Sequence, residues 1–594
     1  MTGRSILRLI CSAATFCGIF LWLWLGCPQS LTYQEQNQLF LFTWGYFAES
    51  VGVPGGFADW LSEFVVQFDY IPLYGALLTA LLLTLTQVML GLACRREASA
   101  DCAYAAAALP PILFVAAMSD ENVLLSYGAA LTLTATALWL TTLPGRLSPL
   151  ADFLMMAVVA VALYWLAGPV AVVFIIAGGI LRRHPLAAAG ALAVAAIAVV
   201  GFNALLLQQY PLSRLLAGIN YYRVPEVYPA ILFVIAAVSA LVPLAGLLKL
   251  RGGRLPAYIF AGAVATFGVI FVTASRDRDK SSVLEYDSLV RQGRWDAIVE
   301  KARKEPPSHA FGQQALNLAL GMKGQLTESM FRYPQNGLES LIGESRLDNT
   351  SQLISAEALY RLGLTNIAFA TVFDLQEAIM NDRKSGRHTK RMAECMIING
   401  NYEVARKYIE MLKHSLFYSE WARRAETLLG NDGGVEAHPV YGPLRRTAFR
   451  EDGFYVHGQI DKILAKLAAG SGGSNTLAWD YFCAAAMLKC DLSTLLGVWN
   501  AHASDFERGE MPRHLQEAAA LFWTSTHGNF DGMPFRLSED VKTQTAALAR
   551  AAMQHSGNPA AWEAAAPGSY GVYFLRQAAR EGARSAAGYQ STHE

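Results

Sequence analysis

In the first half of the chain apolar residues fall in long runs; in the second half they recur at helical spacing. A membrane-crossing helix needs about 20 mainly apolar residues. Nine stretches approach this, near 6–26, 71–93, 102–118, 122–142, 150–167, 169–182, 186–208, 229–249 and 256–274. The turns "SDEN" (Ser119–Asn122) and "AGP" (Ala167–Pro169) separate two closely spaced pairs. The first run is too long for a secretory signal and "CPQS" is a poor cleavage site, so it reads as a retained helix.

The connection 27–70 carries weaker, amphipathic patterns. In "FADWLSEFVVQF", Phe57, Trp60, Leu61, Phe64, Val65 and Phe68 recur at i, i+3, i+4, i+7, i+8 and i+11, one face of a helix. Asp59, Ser62, Glu63 and Gln67 take the opposite face. The pattern predicts a helix lying in the membrane interface, aromatic side down and these four residues toward water. Leu39–Phe47 predicts a second interfacial helix, and "GVPGG" (Gly52–Gly56) a turn between the two.

From Ser275 onward the pattern becomes amphipathic helices joined by short turns. Leu284–Ser308 reads as two helices meeting at Gln292–Trp295. Ala356–Leu375 turns at Gly363, and Met392–Arg423 holds a helix, an Asn-Gly-Asn-Tyr turn and two further helices. An aromatic or apolar residue after a Gly-containing turn, then a small residue deeper in the next helix, resembles tetratricopeptide repeats. The copies are unevenly spaced, so the expectation is an irregular α-solenoid with a concave binding face. The fold class is therefore all-α: a polytopic bundle of about nine helices in 1–275, then a TPR-like domain in 276–594.

Composition and charge divide the chain at the same place. Of 48 Lys+Arg only 12 precede Ser275, and of 48 Asp+Glu only 11 do. The formal net charge is zero and no basic run suits nucleic acid. Eight cysteines show no C-x-x-C pair and no zinc spacing. Cys395, Cys483 and Cys490 lie in the second half; a shared helix face leaves a Cys483–Cys490 disulfide open, but the spacing does not favour it.

Arg and Lys also set an orientation. Alternating links place Arg4, Arg8, Arg95, Arg96, Arg146, Arg182, Arg183, Lys249, Arg251 and Arg254 on one side, and only Arg214 and Arg223 on the other. This puts the N-terminus in the cytoplasm of a bacterial inner membrane. The loop 27–70, "SDEN", the loop 209–228 and the C-terminal half then face the periplasm.

Candidate chemistry follows from what reaches that outer side. Asp59 and Glu63 fit the solvated face of the interfacial helix. Glu49 ends the preceding helix just before the Pro-Gly-Gly turn and is not explained by that face. Asp120 and Glu121 sit in a tight turn at the bilayer surface, where charge is costly unless solvated, capping or paired. The segment Gln208–Pro229 supplies Arg214 and Arg223 with Tyr221 and Tyr222, either as an aromatic belt or as a phosphate-binding surface. The candidate catalytic set is Glu49, Asp59, Asp120 and Glu121; the candidate substrate-binding set is Arg214, Tyr221, Tyr222 and Arg223. Neither loop has a D-x-D or E-x-D spacing for a divalent metal, so no metal or other cofactor is assigned. His438, His457 and His514 are scattered and read as structural or surface residues.

"GYFAES…VPGGFADWLSEFVVQFDY" followed by "LYGALL" resembles an uncharacterised family of multi-pass proteins from Bacteroidota. The resemblance extends through "RQGRWDAIVEKA" and "MPRHLQEAAALF" and implies no activity. The long first outer loop, with two interfacial helices and an acidic residue, is also similar to glycosyltransferases of the GT-C architecture. That similarity implies a sugar or glycan moved from a polyprenyl-phosphate carrier at the outer face. Glu49 or Asp59 stands at the position of the first acidic site and Asp120/Glu121 at the second. The second half would bind protein or glycan. The competing expectation is a non-enzymatic, membrane-anchored scaffold for envelope assembly or secretion. Transport is weaker, because few ionisable residues fall inside the predicted membrane helices and the one carboxylate among them is Asp152, near an end.

Overall fold

The computed structural model describes residues 3–591 apart from 146, 225–226, 249–254, 345–349, 382, 450–458, 471–473, 502–510 and 535. Arg146, Lys249, Arg251, Arg254 and His457 lie outside the described residues, as does part of the Gly470–Asn475 loop. The protein is all-α, 75% helical, and the described residues hold no strand. By contacts the chain divides into two units. One comprises 1–284 together with 379–390 and 406–427; the other comprises 285–378, 391–405 and 428–594. The apolar unit thus extends past the expected 1–275 and takes in two segments from the second half.

The first unit contains α1 (Gly3–Leu21), α2 (Pro28–Gln36), α3 (Trp44–Ser50), α4 (Gly56–Val66), α5 (Pro72–Ala93), α6 (Ala100–Ala106) and α7 (Leu109–Ala117). It continues with α8 (Leu125–Thr141), α9 (Pro149–Ala167), α10 (Ala171–Arg182), α11 (Pro185–Leu205), α12 (Leu212–Ala217), α13 (Ala230–Leu247) and α14 (Leu255–Ala274). Helix forms in all nine apolar stretches. Seven are long and apolar enough to cross a membrane, with α6 and α7 counted together. The exceptions are α8, with 17 residues, and α10, with 12. Pro110 and Pro111 open α7 and separate it from α6, because proline has no N–H to continue the ladder. Helix α8 carries Ser126, Thr132 and Thr134, all buried, which suits a position surrounded by protein rather than lipid. Its Thr132 hydroxyl lies 2.7 Å from that of Thr86 on α5, a polar contact between apolar helices.

The connections meet in two sets, the two expected from alternation. In one set Gln34 donates to the carbonyls of Glu121 (2.9 Å) and Val123 (3.0 Å), and Arg223 N–H donates to Asn122 O (2.8 Å). In the other, Arg8 pairs with Asp101 (3.0 Å), Arg96 donates to Pro144 O (3.3 Å) and Arg183 pairs with Glu97 (3.4 Å). Asp152 belongs to this second set, 3.2 Å from Arg182 and 2.6 Å from His184.

The turn before α4 is set by glycine. Gly55 has φ +82°, where other residues are strained. A Cβ on Gly56 would fall 1.8 Å from the Ser50 carbonyl oxygen. The turn rests on the end of α9: Gly55 N–H donates to Trp165 O (2.9 Å), and the Trp165 indole donates to Val51 O (3.2 Å).

The second unit is built of helices paired across short turns. Trp295–Lys304 and Ala310–Met322 pack together, as do Leu353–Leu362 and Thr365–Glu377, which turn at Gly363 with φ +87°. The turns expected at Gln292–Trp295, Gly363 and Asn399–Tyr402 fall between helices. His514 is buried, accepting from Phe331 N–H (3.2 Å) and lying 2.9 Å from Glu517. All eight cysteines are free, so Cys483 and Cys490 form no bond.

Gly56→Ala is expected to lower the thermal midpoint of the purified protein, consistent with an overpacking cost of about 1–3 kcal/mol. Gly45→Ala, whose added Cβ would meet nothing within 4 Å, is the control.

Candidate functional site

The polar face of α4 is turned inward, which corrects the expectation from helical periodicity. Asp59, Ser62, Glu63 and Gln67 are 8%, 0%, 4% and 6% exposed. Periodicity separates two faces but does not say which one meets water. What covers this one is Arg383, whose guanidinium reaches Asp59 Oδ1 at 2.5 Å and Glu63 Oε1 at 3.5 Å. Tyr46 of α3 donates its hydroxyl to Glu63 Oε2. Two carboxylates four residues apart on a helix share a face, and here one arginine answers both. Burial and the neighbouring Asp59 push Glu63 up to about 7, against the pull of Arg383 and Tyr46. Burial raises Asp59 as well, with Arg383 opposing. Burial, then Glu35, carries Asp69 well above the ordinary carboxylate range.

The end of α2 and the two residues after it form a second buried polar layer. Gln34, Glu35, Gln36, Asn37 and Gln38 are each at most 5% exposed. Glu35 accepts from the Tyr418 hydroxyl (2.7 Å), and Gln36 from Arg387 (2.7 Å). Gln38 donates to Gln34 Oε1 (3.1 Å), which also lies 3.4 Å from Arg223 Nη2. Arg223 is 4% exposed and stacks over the Tyr33 ring at 5.7 Å. Its Nε and Nη1 are buried without a hydrogen-bond partner. Burial lowers its pKa, and the like charge of Arg383 adds to that.

The loop 209–228 is tied to the "SDEN" turn through an antiparallel bridge between Val123 and Tyr222. Asp120 Oδ1 accepts from Asn122 N–H (3.0 Å), closing a local turn. The Tyr222 hydroxyl donates to Asp120 Oδ2 (2.9 Å), and Lys280 pairs with Glu121 (3.2 Å). Lys280, Gln34 and Ser119 line a small cavity together with Ser30, Arg276 and Asp277.

Of the residues expected to form a site, Asp120, Glu121, Tyr222 and Arg223 are therefore brought together. The other four are not. Asp59 is held in the Arg383 cluster. Glu49 is exposed at the end of α3, away from the other carboxylates' partners. Arg214 on α12 donates to Asn381 (2.8 Å) and to Ile219 O (3.3 Å). Tyr221 is 2% exposed and its hydroxyl donates to Ala167 O, a packing role rather than a face open to a ligand. Gly218 makes room for that ring, since a Cβ there would approach Tyr221 Cδ2 to 2.2 Å.

Sequence reasoning missed Arg383, Gln34, Lys280 and Arg276. Only Gln34 had a local signal, as part of five consecutive polar residues set between apolar ones. Among the described residues no three His, Cys, Asp or Glu side chains gather to hold a metal ion.

Seven membrane-competent helices and a polar assembly built from their connections define an all-α protein of the membrane type. The chain belongs to a family of unknown function (DUF6057), whose model matches residues 4–575. No curated protein and no solved structure matches it.

Arg383→Ala leaves two buried carboxylates without their cation and is expected to destabilise the protein by about 3–5 kcal/mol, read as a large fall in thermal midpoint. Glu63 holds its proton more tightly when folded, so between about pH 4.5 and pH 7 the unfolded chain ionises first. Stability contributed by this group therefore falls as pH rises through that window. Thermal midpoints measured from pH 5 to pH 8 are expected to decline less in Glu63→Gln than in the wild type.

Proposed function

We propose that this protein is an integral-membrane, GT-C-like transferase. It moves a sugar or glycan from a polyprenyl-phosphate carrier at the periplasmic face of the inner membrane. The observation that carries the reading is the convergence of Asp120, Glu121, Tyr222 and Arg223 beside a cavity lined by Lys280 and Arg276. Glu121 is the general base for an acceptor hydroxyl, taking the place expected of Glu49, and Asp120 with Tyr222 fixes the turn that presents it. Lys280 and Arg276 meet the leaving phosphate, with Arg223 supplying positive field from behind Gln34. The Lys/Arg bias and the two-sided grouping of the connections support a cytoplasmic N-terminus and a periplasmic site. The helical second half, read as an irregular TPR-like solenoid, offers the surface for acceptor protein or glycan.

A membrane-anchored scaffold is the second reading. It is favoured by the Arg383 cluster, which spends Asp59 and Glu63 on holding the chain together.

Glycan profiling of envelope proteins and lipopolysaccharide, in cells of the native host, separates the two. Glu121→Gln is expected to lower product by about 100-fold or more, the scale of a lost general base. Asp120→Asn is expected to weaken it and Glu49→Gln to leave it near wild type. An unchanged profile in a full deletion sinks the transferase reading and leaves the scaffold.

A further inference from the structure

A large apolar cavity of the first unit lies not at the carboxylates but along α1, α7 and α14. It encloses about 410 Å³. Gly18 and Trp22 of α1, Ile112 and Val115 of α7, and Gly262 and Gly268 of α14 are among the residues that shape it. Its lining begins at Leu7 and reaches Trp22, about 22 Å along α1 at 1.5 Å per residue. That is some three-quarters of a hydrocarbon core of about 30 Å. Glycines in membrane helices usually let neighbouring backbones approach closely. Gly18 and Gly262 do the reverse: a Cβ on either would meet nothing within 4 Å. They hollow out a furrow rather than close one.

Where the furrow ends, its surroundings change. Trp22 and Val115 also line the smaller cavity that holds Ser30, Gln34, Ser119, Arg276, Asp277 and Lys280. Helix α1 does not continue regularly past this point but widens to a π-helix over Trp22–Gly26. Such single turns are uncommon and concentrate at functional sites. Arg276 and Lys280 are both exposed there, the first donating to Ser281 (3.4 Å), the second pairing with Glu121.

We propose that this furrow seats the hydrocarbon chain of a long-chain prenyl phosphate, with the phosphate at Arg276 and Lys280. An apolar trough that adjoins Arg276 and Lys280 matches an amphiphile with an anionic head, which competes there with the carboxylates of Glu121 and Asp277 for the two cations. One furrow with one mouth takes one chain. Because the bilayer already solvates hydrocarbon, the preference for this lipid comes from head-group charge and from the shape of the trough, not from a hydrophobic gain. The assignment deepens the transferase reading by placing the carrier, and it rests on that reading only for what is done with the lipid; the binding itself is separately measurable.

The test uses the full-length protein in nanodiscs with a photoreactive, diazirine-bearing long-chain prenyl phosphate, followed by peptide mapping. Labelling is expected on α1 and α14. Gly18→Leu and Gly262→Leu, whose side chains grow into open space, are expected to cut it about tenfold. Arg276→Gln with Lys280→Gln is expected to bring phosphate-probe labelling down to that of the uncharged prenol. All variants are checked for wild-type elution and thermal midpoint, and two independent glycine sites guard against a single misfolded variant. Equal labelling of all lipid-facing helices overturns the proposal, as does labelling unchanged by both leucines. Displacement of the probe by diacyl phosphatidate at equal concentration also overturns it, in favour of an ordinary phospholipid. Absent furrow labelling with Glu121-dependent glycan transfer removes the furrow and keeps the transferase. Furrow labelling with a glycan profile unchanged by Glu121→Gln and by full deletion does the opposite.

Discussion

Arg383 is the charge on which the polar layer around α4 depends. Two carboxylates on α4, each nearly excluded from water, face a single guanidinium. Desolvation of an isolated carboxylate is worth several kcal/mol, and only a close, well-oriented cation offsets it. With Arg383 in place, α4 turns its charged face inward and leaves its aromatic face half-buried. Phe40, Phe64 and Trp60 pack against one another on that side, and the Pro-Gly-Gly turn is held against α9. Without the arginine the opposite orientation, charges toward water, is the cheaper one. The direction in which α4 faces is therefore an electrostatic decision and not a matter of its hydrophobic pattern.

The same positive field spreads further. Arg223 is buried near enough to Arg383 to feel its charge, and it stacks on Tyr33 with one nitrogen on Gln34. The layer from Gln34 to Gln38 then links α2 to the turn after α7 through side-chain amides, which satisfy carbonyls without adding charge. Amides bridging two like-charged arginine regions keep the interior polar at low electrostatic cost. Both the acidic turn at Asp120–Glu121 and the loop at Tyr221–Arg223 are positioned by this layer.

The parts of the fold that were legible in the sequence are those governed by local, strong constraints. Apolar runs gave helices at every expected stretch because a buried backbone must bond within its own segment. The Gly55–Gly56 turn was legible because positive φ and a close carbonyl leave few alternatives. Connections that strict alternation of the helices puts on one side touch one another among the described residues. The inward face of α4 was not legible, since Asp59 and Glu63 give the same periodicity whether water or Arg383 covers them. Glu49 drew attention because no pattern accounted for it, and it turned out to be an exposed helix end. Arg383 lies 324 residues from Asp59, a separation at which no spacing rule operates.

That separation has a consequence for how the molecule comes into being. Ribosomes add roughly 5–20 residues per second, so Asp59 and Glu63 emerge on the order of tens of seconds before their cation does. The apolar helices up to Ala274 are all synthesised in that interval, while the loop 27–70 still has two uncompensated charges. The nascent loop must stay hydrated until residues 379–390 arrive, and its final closure is a late event in biogenesis. A chain that stops after the last apolar helix carries the whole bundle and still lacks the residue that completes its first loop.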